Sequence, residues 1–141
     1  MLINRKLDTK GKTIFREYLD GFKEWRKYDE KGNLVYIENT NGYKRYSTYN
    51  ENNVEITRKI CNGLYEENYE YDEKGNLTHY KDTDNFEEWY IYDEQGNEIH
   101  YKNSEGYEEW SIYNELGIRI YYKDHTGYEE RLQYDENGNE I

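Results

Sequence analysis

The 141-residue sequence contains no proline, a single cysteine (Cys61) and no long apolar run. One cysteine excludes an intrachain disulfide, which fits a reducing compartment. A membrane-spanning helix needs about 20 predominantly apolar residues, and the first twelve residues, MLINRKLDTKGK, lack the apolar stretch of a secretory signal. We therefore expect a cytoplasmic protein without a membrane segment.

Aliphatic residues are also scarce. Apolar residues make up 34% of the chain, tyrosine alone supplies 19 of them, and charged residues make up 35%. Such a composition leaves little material for a thick core and is close to that of disordered chains. The aromatic content of 18% and a strict internal repeat favour β-strands instead.

The repeat is marked by the segment YDEKGNL, which occurs at Tyr28–Leu34 and again at Tyr71–Leu77. The landmark tyrosine recurs at steps of 21 residues, with one step of 22, and a fixed period of this size indicates a repeat architecture. We interpret residues 1–141 as one domain of six repeats and part of a seventh, which begin near residues 7, 28, 49, 71, 92, 113 and 134.

Each repeat contains two strand-like stretches and two turns, and most of these turns open with Asp or Asn and close with Gly, such as Asp29–Gly32 and Asn39–Gly42, although the third repeat lacks the glycine of its first turn. Asp and Asn cap a turn with their own side chains, and glycine accepts the left-handed conformation that follows. The sequence therefore predicts an all-β fold, an antiparallel meander of six hairpin repeats of about 21 residues. We expect an elongated, twisted, largely single-layer sheet.

The strand register follows from the charges. If the second turn of each repeat carries a glycine bulge, opposite charges face each other in all six repeats, and facing opposite charges stabilise a sheet. Because the repeat length is odd, equivalent residues keep one face only if one turn is bulged and the other is not. The third repeat has an extra residue, which should bend the sheet near Ile60–Tyr65. The expected facing pairs are Glu17–Lys23, Glu38–Lys44, Lys59–Glu66, Lys81–Glu87, Lys102–Glu108 and Lys123–Glu129.

Two semi-polar faces result from this register. One face is expected to carry the charge pairs with Trp25, Tyr46, Trp89 and Trp110. The other is expected to carry Tyr28, Tyr71, Tyr80, Tyr92, Tyr101, Tyr113 and Tyr122. Neither face has the composition of a buried core.

Negative charge is concentrated in the second half of the chain, since residues 1–70 carry a net +1 and residues 71–141 a net −13. Glutamate pairs recur there on every second strand. Two interpretations remain open: the charge keeps a thin aromatic sheet soluble, or it imitates a phosphate backbone and binds a basic protein while repelling nucleic acid. The candidate partner-binding residues are Glu87, Glu88, Trp89, Glu108, Glu109, Trp110, Glu129 and Glu130.

The sequence offers little for catalysis. No nucleophile accompanies His79, His100 or His125, and His79 and His100 lie two strands apart, too far to share a metal ion. Every glycine has a turn explanation. We expect no enzyme activity, no cofactor and no metal, although the terminal segment DENGNEI has the composition to hold a cation weakly.

The YDEKGN and YDENGN motifs resemble the YD repeats of RHS-type bacterial proteins, which build sheets from tyrosine-aspartate hairpins. The plan of one hairpin per repeat also looks like that of MORN repeats. In size and acidity the chain is similar to small phage or bacterial inhibitors, such as anti-CRISPR and toxin-immunity proteins. The resemblance to small inhibitors implies a binding protein that blocks a partner.

Three functions remain open from the sequence. The first is an inhibitor whose acidic second half occupies the basic surface of a nucleic-acid-handling protein, such as a nuclease. The second is an adhesive or carbohydrate-binding repeat that uses the aromatic rows. The third is a self-assembling sheet. A homodimer through open sheet edges or through the aromatic face is a further expectation.

Overall fold

The computed structural model describes residues 1–135 and 138–141, in which every regular element is a β-strand. The chain divides into two compact units, residues 1–75 and residues 76–141. Unit 1 contains β1 (Leu2–Leu7), β2 (Thr13–Tyr18), β3 (Lys23–Tyr28), β4 (Leu34–Asn39), β5 (Tyr43–Tyr49), β6 (Glu55–Asn62) and β7 (Tyr65–Tyr71). Unit 2 contains β8 (Leu77–Asp82), β9 (Glu87–Tyr92), β10 (Glu98–Asn103), β11 (Glu108–Tyr113), β12 (Arg119–Asp124) and β13 (Glu129–Arg131).

Within each unit, consecutive strands pair antiparallel, which confirms the expected all-β hairpin meander. Each strand contacts only its neighbours in the chain, as in a single layer. No helix in the described residues is long and apolar enough to cross a membrane.

The tyrosine-aspartate motif is a turn closed by its own side chains. Asp93 Oδ1 accepts hydrogen bonds from the backbone N–H groups of Gln95 (3.0 Å) and Asn97 (2.9 Å), and Asp93 Oδ2 accepts one from the Asn97 side-chain amide (2.9 Å). The Asn97 amide, helped by the backbone donors, lowers the pKa of Asp93 below its usual value. The predicted turn chemistry is therefore present, and these hydrogen bonds explain why the spacing of Asp, Gly and Asn recurs in the repeats.

The second kind of turn also reaches back to the preceding hairpin. In unit 1 the Thr40 N–H donates to the Lys23 carbonyl (3.0 Å), and Thr40 Oγ1 accepts from the Lys23 N–H (3.1 Å). In unit 2 Ser104 makes the same pair of bonds with Glu87, at 2.8 and 3.0 Å. These clamps fix the first residue of β3 and of β9 in the sheet.

The odd length of the repeat is accommodated in a different way from the prediction, which placed a bulge in one turn and none in the other. Both kinds of turn have the same glycine hydrogen bond, from Gly21 N–H to Tyr18 O and from Gly32 N–H to Asp29 O. The extra residue lies in the strand after the first turn, where Lys27 pairs with Tyr36 and Tyr28 with Leu34, so that Val35 is bulged out. The same shift leaves Ile14, Ile56, Ile99 and Ile120 unpaired in the equivalent hairpins.

The predicted register is correct for five of the six charge pairs, which face each other in the sheet. The third pair is displaced: Lys59 faces Asn68, and Glu66 faces Cys61, although Lys59 Nζ still reaches Glu66 Oε2 diagonally at 2.7 Å. The pairing of β6 with β7 is regular from Thr57 to Asn62, without a bulge. A tight turn at Gly63 and Leu64 absorbs the extra residue.

The register defines two faces in each unit. The charge-pair face carries the Lys–Glu pairs and tryptophans, such as Lys81, Glu87 and Trp89 in unit 2. The tyrosine face carries the alternate residues, such as Glu88 and Tyr90, because successive side chains in a strand point to opposite faces. Among the described residues no hydrophobic side chain is buried, and only Ser47 and Ser111 are buried polar residues. The structure therefore has no conventional core on either face.

Candidate functional site

The eight candidate partner-binding residues lie in three strands of unit 2, but they do not form one patch. Strand alternation puts Glu87, Trp89, Glu108, Trp110 and Glu129 on the charge-pair face, and Glu88, Glu109 and Glu130 on the tyrosine face. Adjacent glutamates in the sequence therefore point in opposite directions. A partner that binds one face contacts either five or three of the eight predicted residues.

Two of the three strand glutamates on the charge-pair face of unit 2 form ion pairs with lysines. Glu87 Oε1 accepts a hydrogen bond from Lys81 Nζ at 2.7 Å, and its Oε2 lies 3.2 Å from His79 Nε2. The Lys81 hydrogen bond, followed by that of His79, lowers the pKa of Glu87. Glu129 lies 3.3 Å from Lys123 in the same way.

The tryptophans of this face are covered rather than free. The His79 ring stacks on Trp89 with centroids 5.4 Å apart, and Lys102 Nζ lies 4.9 Å from the centre of the Trp89 ring. Lys102 was expected to pair with Glu108, which it faces in the sheet. The two charged groups nevertheless have different contacts. The Trp89 indole attracts the Lys102 ammonium group, and Glu108 Oε1 lies 2.8 Å from His100 Nε2.

Overall the strands of the charge-pair face in unit 2 are close to neutral. Four cations stand against three carboxylates among the described residues. They are Lys81, Lys102, Lys123 and Arg131 against Glu87, Glu108 and Glu129.

The tyrosine face of unit 2 carries carboxylates that are bound by hydroxyl groups instead of cations. Tyr101 OH donates to Glu88 Oε1 at 2.7 Å. Glu109 Oε2 accepts from Tyr107 OH at 2.6 Å and from Tyr122 OH at 3.0 Å. The hydrogen bond to Glu109, followed by that to Tyr122, raises the pKa of Tyr107 well above its usual value.

A fourth carboxylate, Glu98, belongs to this surface and was missed by the sequence reasoning. Burial, with the nearby charges of Glu109 and Glu88, raises the pKa of Glu98 above its usual value. The bulge at Ile99 places Glu98 opposite Tyr92 on the tyrosine face. Without knowledge of that bulge, simple alternation along β10 assigns Glu98 to the other face.

The carboxylates and tyrosines on the tyrosine face of unit 2 form what we call the acidic tyrosine surface. Its rings contact one another across strands, with centroids 5.1 Å apart for Tyr90–Tyr101 and 5.8 Å for Tyr101–Tyr107. Among the described residues of unit 2, Arg119 is the one cation that the strands carry on this face. Its guanidinium carbon lies 4.8 Å from the centre of the Tyr122 ring. The surface consists of Glu88, Glu98, Glu109 and Glu130 with Tyr90, Tyr101, Tyr107 and Tyr122.

Net charge separates the two units sharply. Residues 1–75 contain 14 Lys and Arg and 14 Asp and Glu, whereas residues 76–141 contain 5 and 17. Unit 1 is therefore neutral, and the formal charge of −12 belongs to unit 2. Since the charge-pair face of unit 2 is balanced, this excess lies on its tyrosine face and in its turns.

No group of three or more His, Cys, Asp or Glu residues suited to a metal ion occurs in the described parts of the chain. His79 and His100 are each bound to a glutamate, and His125 lies against the Tyr107 ring at 4.8 Å. Of the terminal DENGNEI segment, Glu136 and Asn137 lie outside the described residues. The absence of a cofactor remains a sequence-based prediction.

Comparison with solved structures identifies similar folds. Crystal structures of TcdB2-TccC3-Cdc42 and of TcdB2-TccC3 each match with a TM-score of 0.62 and 14% identity, covering 96% of this chain and 9% of the matched chain. The chain thus spans about one tenth of the length of the proteins it matches. No protein-family model and no curated protein matches it. The hairpin meander and these neighbours agree with the resemblance to YD-type repeats.

Proposed function

We propose that this repeat protein is a non-enzymatic binding protein and that the acidic tyrosine surface of unit 2 docks on a basic protein. One observation carries the proposal: Glu88, Glu98 and Glu109 share a face on which tyrosine hydroxyls, not lysines, bind Glu88 and Glu109, and on which Glu98 lies near both of those charges. Like charges in proximity repel each other. A basic partner relieves that repulsion and gains several charge-assisted hydrogen bonds.

The tyrosines prepare this surface for cationic side chains. Their hydroxyls fix Glu88 and Glu109 in single positions, so less side-chain entropy is lost on binding. Their rings also attract guanidinium groups, as the contact between Arg119 and Tyr122 illustrates within the chain. Tyrosine is enriched at protein interfaces for related reasons.

The spacing of the carboxylates suggests the class of partner. Glu88 and Glu109 occupy strands β9 and β11, so they recur about 10 Å apart along the sheet. A row of anions on a rigid surface resembles a nucleic-acid backbone to a basic groove. We propose an inhibitor of a nucleic-acid-handling protein such as a nuclease, by analogy with anti-CRISPR or immunity proteins, acting in the cytoplasm.

The similar structures are complexes of named proteins, TcdB2 with TccC3. They support the general idea that such hairpin sheets take part in protein assemblies.

The two faces provide a matched experiment. The double variant E88Q/E109Q removes two charges from the acidic tyrosine surface. The matched variant E87Q/E108Q removes the charges of the preceding residues in the sequence, which lie on the charge-pair face. Each protein is immobilised, exposed to cell extract, and eluted with salt or with duplex DNA. We expect wild type and E87Q/E108Q to retain basic proteins that duplex DNA displaces, and E88Q/E109Q to lose them.

Equal retention by both variants would refute this assignment. Retention that survives 1 M salt would also refute it, because contacts between exposed charges are screened at that ionic strength. Circular dichroism of both variants confirms that each is folded.

A second candidate function is favoured by a groove in unit 1. Trp25 and Tyr46 are 39% and 43% exposed, and with Lys27, Tyr36 and Glu38 they line a shallow cavity of about 710 Å³. Exposed aromatic rings beside a carboxylate suit a carbohydrate. Binding on a glycan array that is lost in W25A supports this function, and silence of wild type on the array removes it.

A further inference from the structure

The charge-pair face of unit 2 carries two isoleucines at a repeat position that is polar in unit 1. The residue before the landmark tyrosine is isoleucine at Ile91 and Ile112, which are 52% and 53% exposed. Because the two side chains occupy matching positions of neighbouring repeats on one face, they offer a small apolar patch to another molecule. The equivalent residues in unit 1 are Lys6, Lys27, Thr48 and Glu70.

The two isoleucines belong to one shallow groove. Ile91 faces His100, which in turn faces Trp110, and Ile112 faces Tyr121 in the adjacent row. These side chains line a cavity of about 920 Å³ that opens on the charge-pair face. The His100 ring stacks on Trp110 at 5.5 Å and fixes the wall of the groove.

We propose that a second copy of this chain covers the groove, so that the charge-pair faces of two unit 2 sheets pack against each other. In a two-fold dimer the same patch meets itself. Ile91 and Ile112 of one copy would then lie against the groove of the partner copy. Sheet-on-sheet packing of this kind buries Ile91 and Ile112, which are half exposed in the single chain.

The charge pattern of this face suits a second copy, because lysine and glutamate alternate from β8 to β13 and such a row is complementary to itself in a two-fold dimer. A protein with a net charge of −12 repels itself wherever acidic surfaces meet. The charge-pair face of unit 2 avoids this repulsion, because its strand cations and glutamates nearly balance, with Lys81 bound to Glu87 and Lys123 to Glu129. Two such faces can approach without electrostatic repulsion, whereas two acidic tyrosine surfaces cannot.

This dimer leaves the acidic tyrosine surface exposed on both copies, so it is independent of the proposed function. Two identical docking surfaces on one dimer also increase avidity for a partner that carries two basic patches. Loss of partner binding and loss of dimerisation can therefore be separated by mutations on opposite faces.

The test is sedimentation velocity of the full chain over a range of concentrations. The variant is I91T/I112T, since threonine already occupies this repeat position at Thr48 and is compatible with a strand. The control is L116T, which changes a turn residue that is 59% exposed outside the groove. We expect wild type and L116T to sediment as a species of twice 17.4 kDa, and I91T/I112T to sediment at 17.4 kDa.

A wild-type chain that stays monomeric at all concentrations overturns the proposal, as does an I91T/I112T variant that remains a dimer. Species larger than a dimer also overturn it and favour open-ended association through sheet edges. The E88Q/E109Q variant should remain dimeric, which distinguishes this interface from the acidic tyrosine surface.

Discussion

Alanine substitution of two glycines in unit 1 measures how strongly neighbouring turns support each other. Gly32 and Gly42 have φ values of +93° and +85°, where an L-residue is strained by about 1–2 kcal/mol. A Cβ at Gly42 meets no atom within 4 Å, whereas a Cβ at Gly32 lies 2.5 Å from Lys12 Nζ. The two variants therefore share the same backbone strain but differ in crowding.

The lysine that crowds Gly32 also stabilises it. Lys12 Nζ donates to the Gly32 carbonyl at 2.5 Å and lies 4.9 Å from the Tyr28 ring centre. An alanine displaces this flexible side chain, with a loss of about 1 kcal/mol for the hydrogen bond and ring contact. We expect G42A to lower the free energy of unfolding by about 1–2 kcal/mol, and G32A by about 2–3 kcal/mol.

The assay is urea unfolding followed by Trp25 fluorescence. A W89F/W110F background makes Trp25 the reporter of unit 1, since the other two tryptophans lie in unit 2. G42N is the matched control, because asparagine tolerates a left-handed φ and Asn53 adopts one of 62° in this unit. Equal destabilisation by G32A and G42A, or a G42N as unstable as G42A, would refute the reasoning.

Three further predictions follow from the contacts. Arg5 faces Arg16 directly, so R5E should raise the free energy of unfolding by roughly 0.5–1 kcal/mol while R5K leaves it unchanged, as checked by urea titration. The pKa of Glu87 is lowered from 4.5 by Lys81, so its contribution to stability should be present above pH 4.5 and fall away as pH drops through the folded-state pKa. The E87Q variant should flatten this dependence in acid titrations followed by circular dichroism, and an unchanged profile argues against the ion pair. Burial raises the pKa of Tyr69 to about 12, so the absorbance difference between wild type and Y69F should develop near that pH and not near 10.

The turns and most of the register were predictable because their determinants are local. The Asp, Gly and Asn of one turn bond to each other within five residues, as Asp93 and Asn97 show. The opposite charges that face each other across a hairpin also lie within seven residues, as in Lys81 and Glu87. Short-range chemistry of this kind is readable from sequence.

The composition of the site was less predictable because it depends on bulges between strands. The extra residue at Ile99 carries no turn signal, and it moves Glu98 to the tyrosine face. The contact that a side chain makes when several partners are within reach was equally hard to predict, since Lys102 lies over Trp89 although it faces Glu108. Both outcomes are decided by contacts between strands that the repeat motif does not encode.

The central claim is that unit 2 separates a balanced face from an unbalanced acidic face, and a carboxyl NMR titration of individual glutamates tests it most directly. We predict that Glu98 titrates above 4.5, because burial and the charges of Glu109 and Glu88 disfavour its ionised form. Glu87 should titrate below 4.5, because Lys81 and His79 favour its ionised form. The same pKa for both residues, or the reverse order, would contradict the assignment of the two faces.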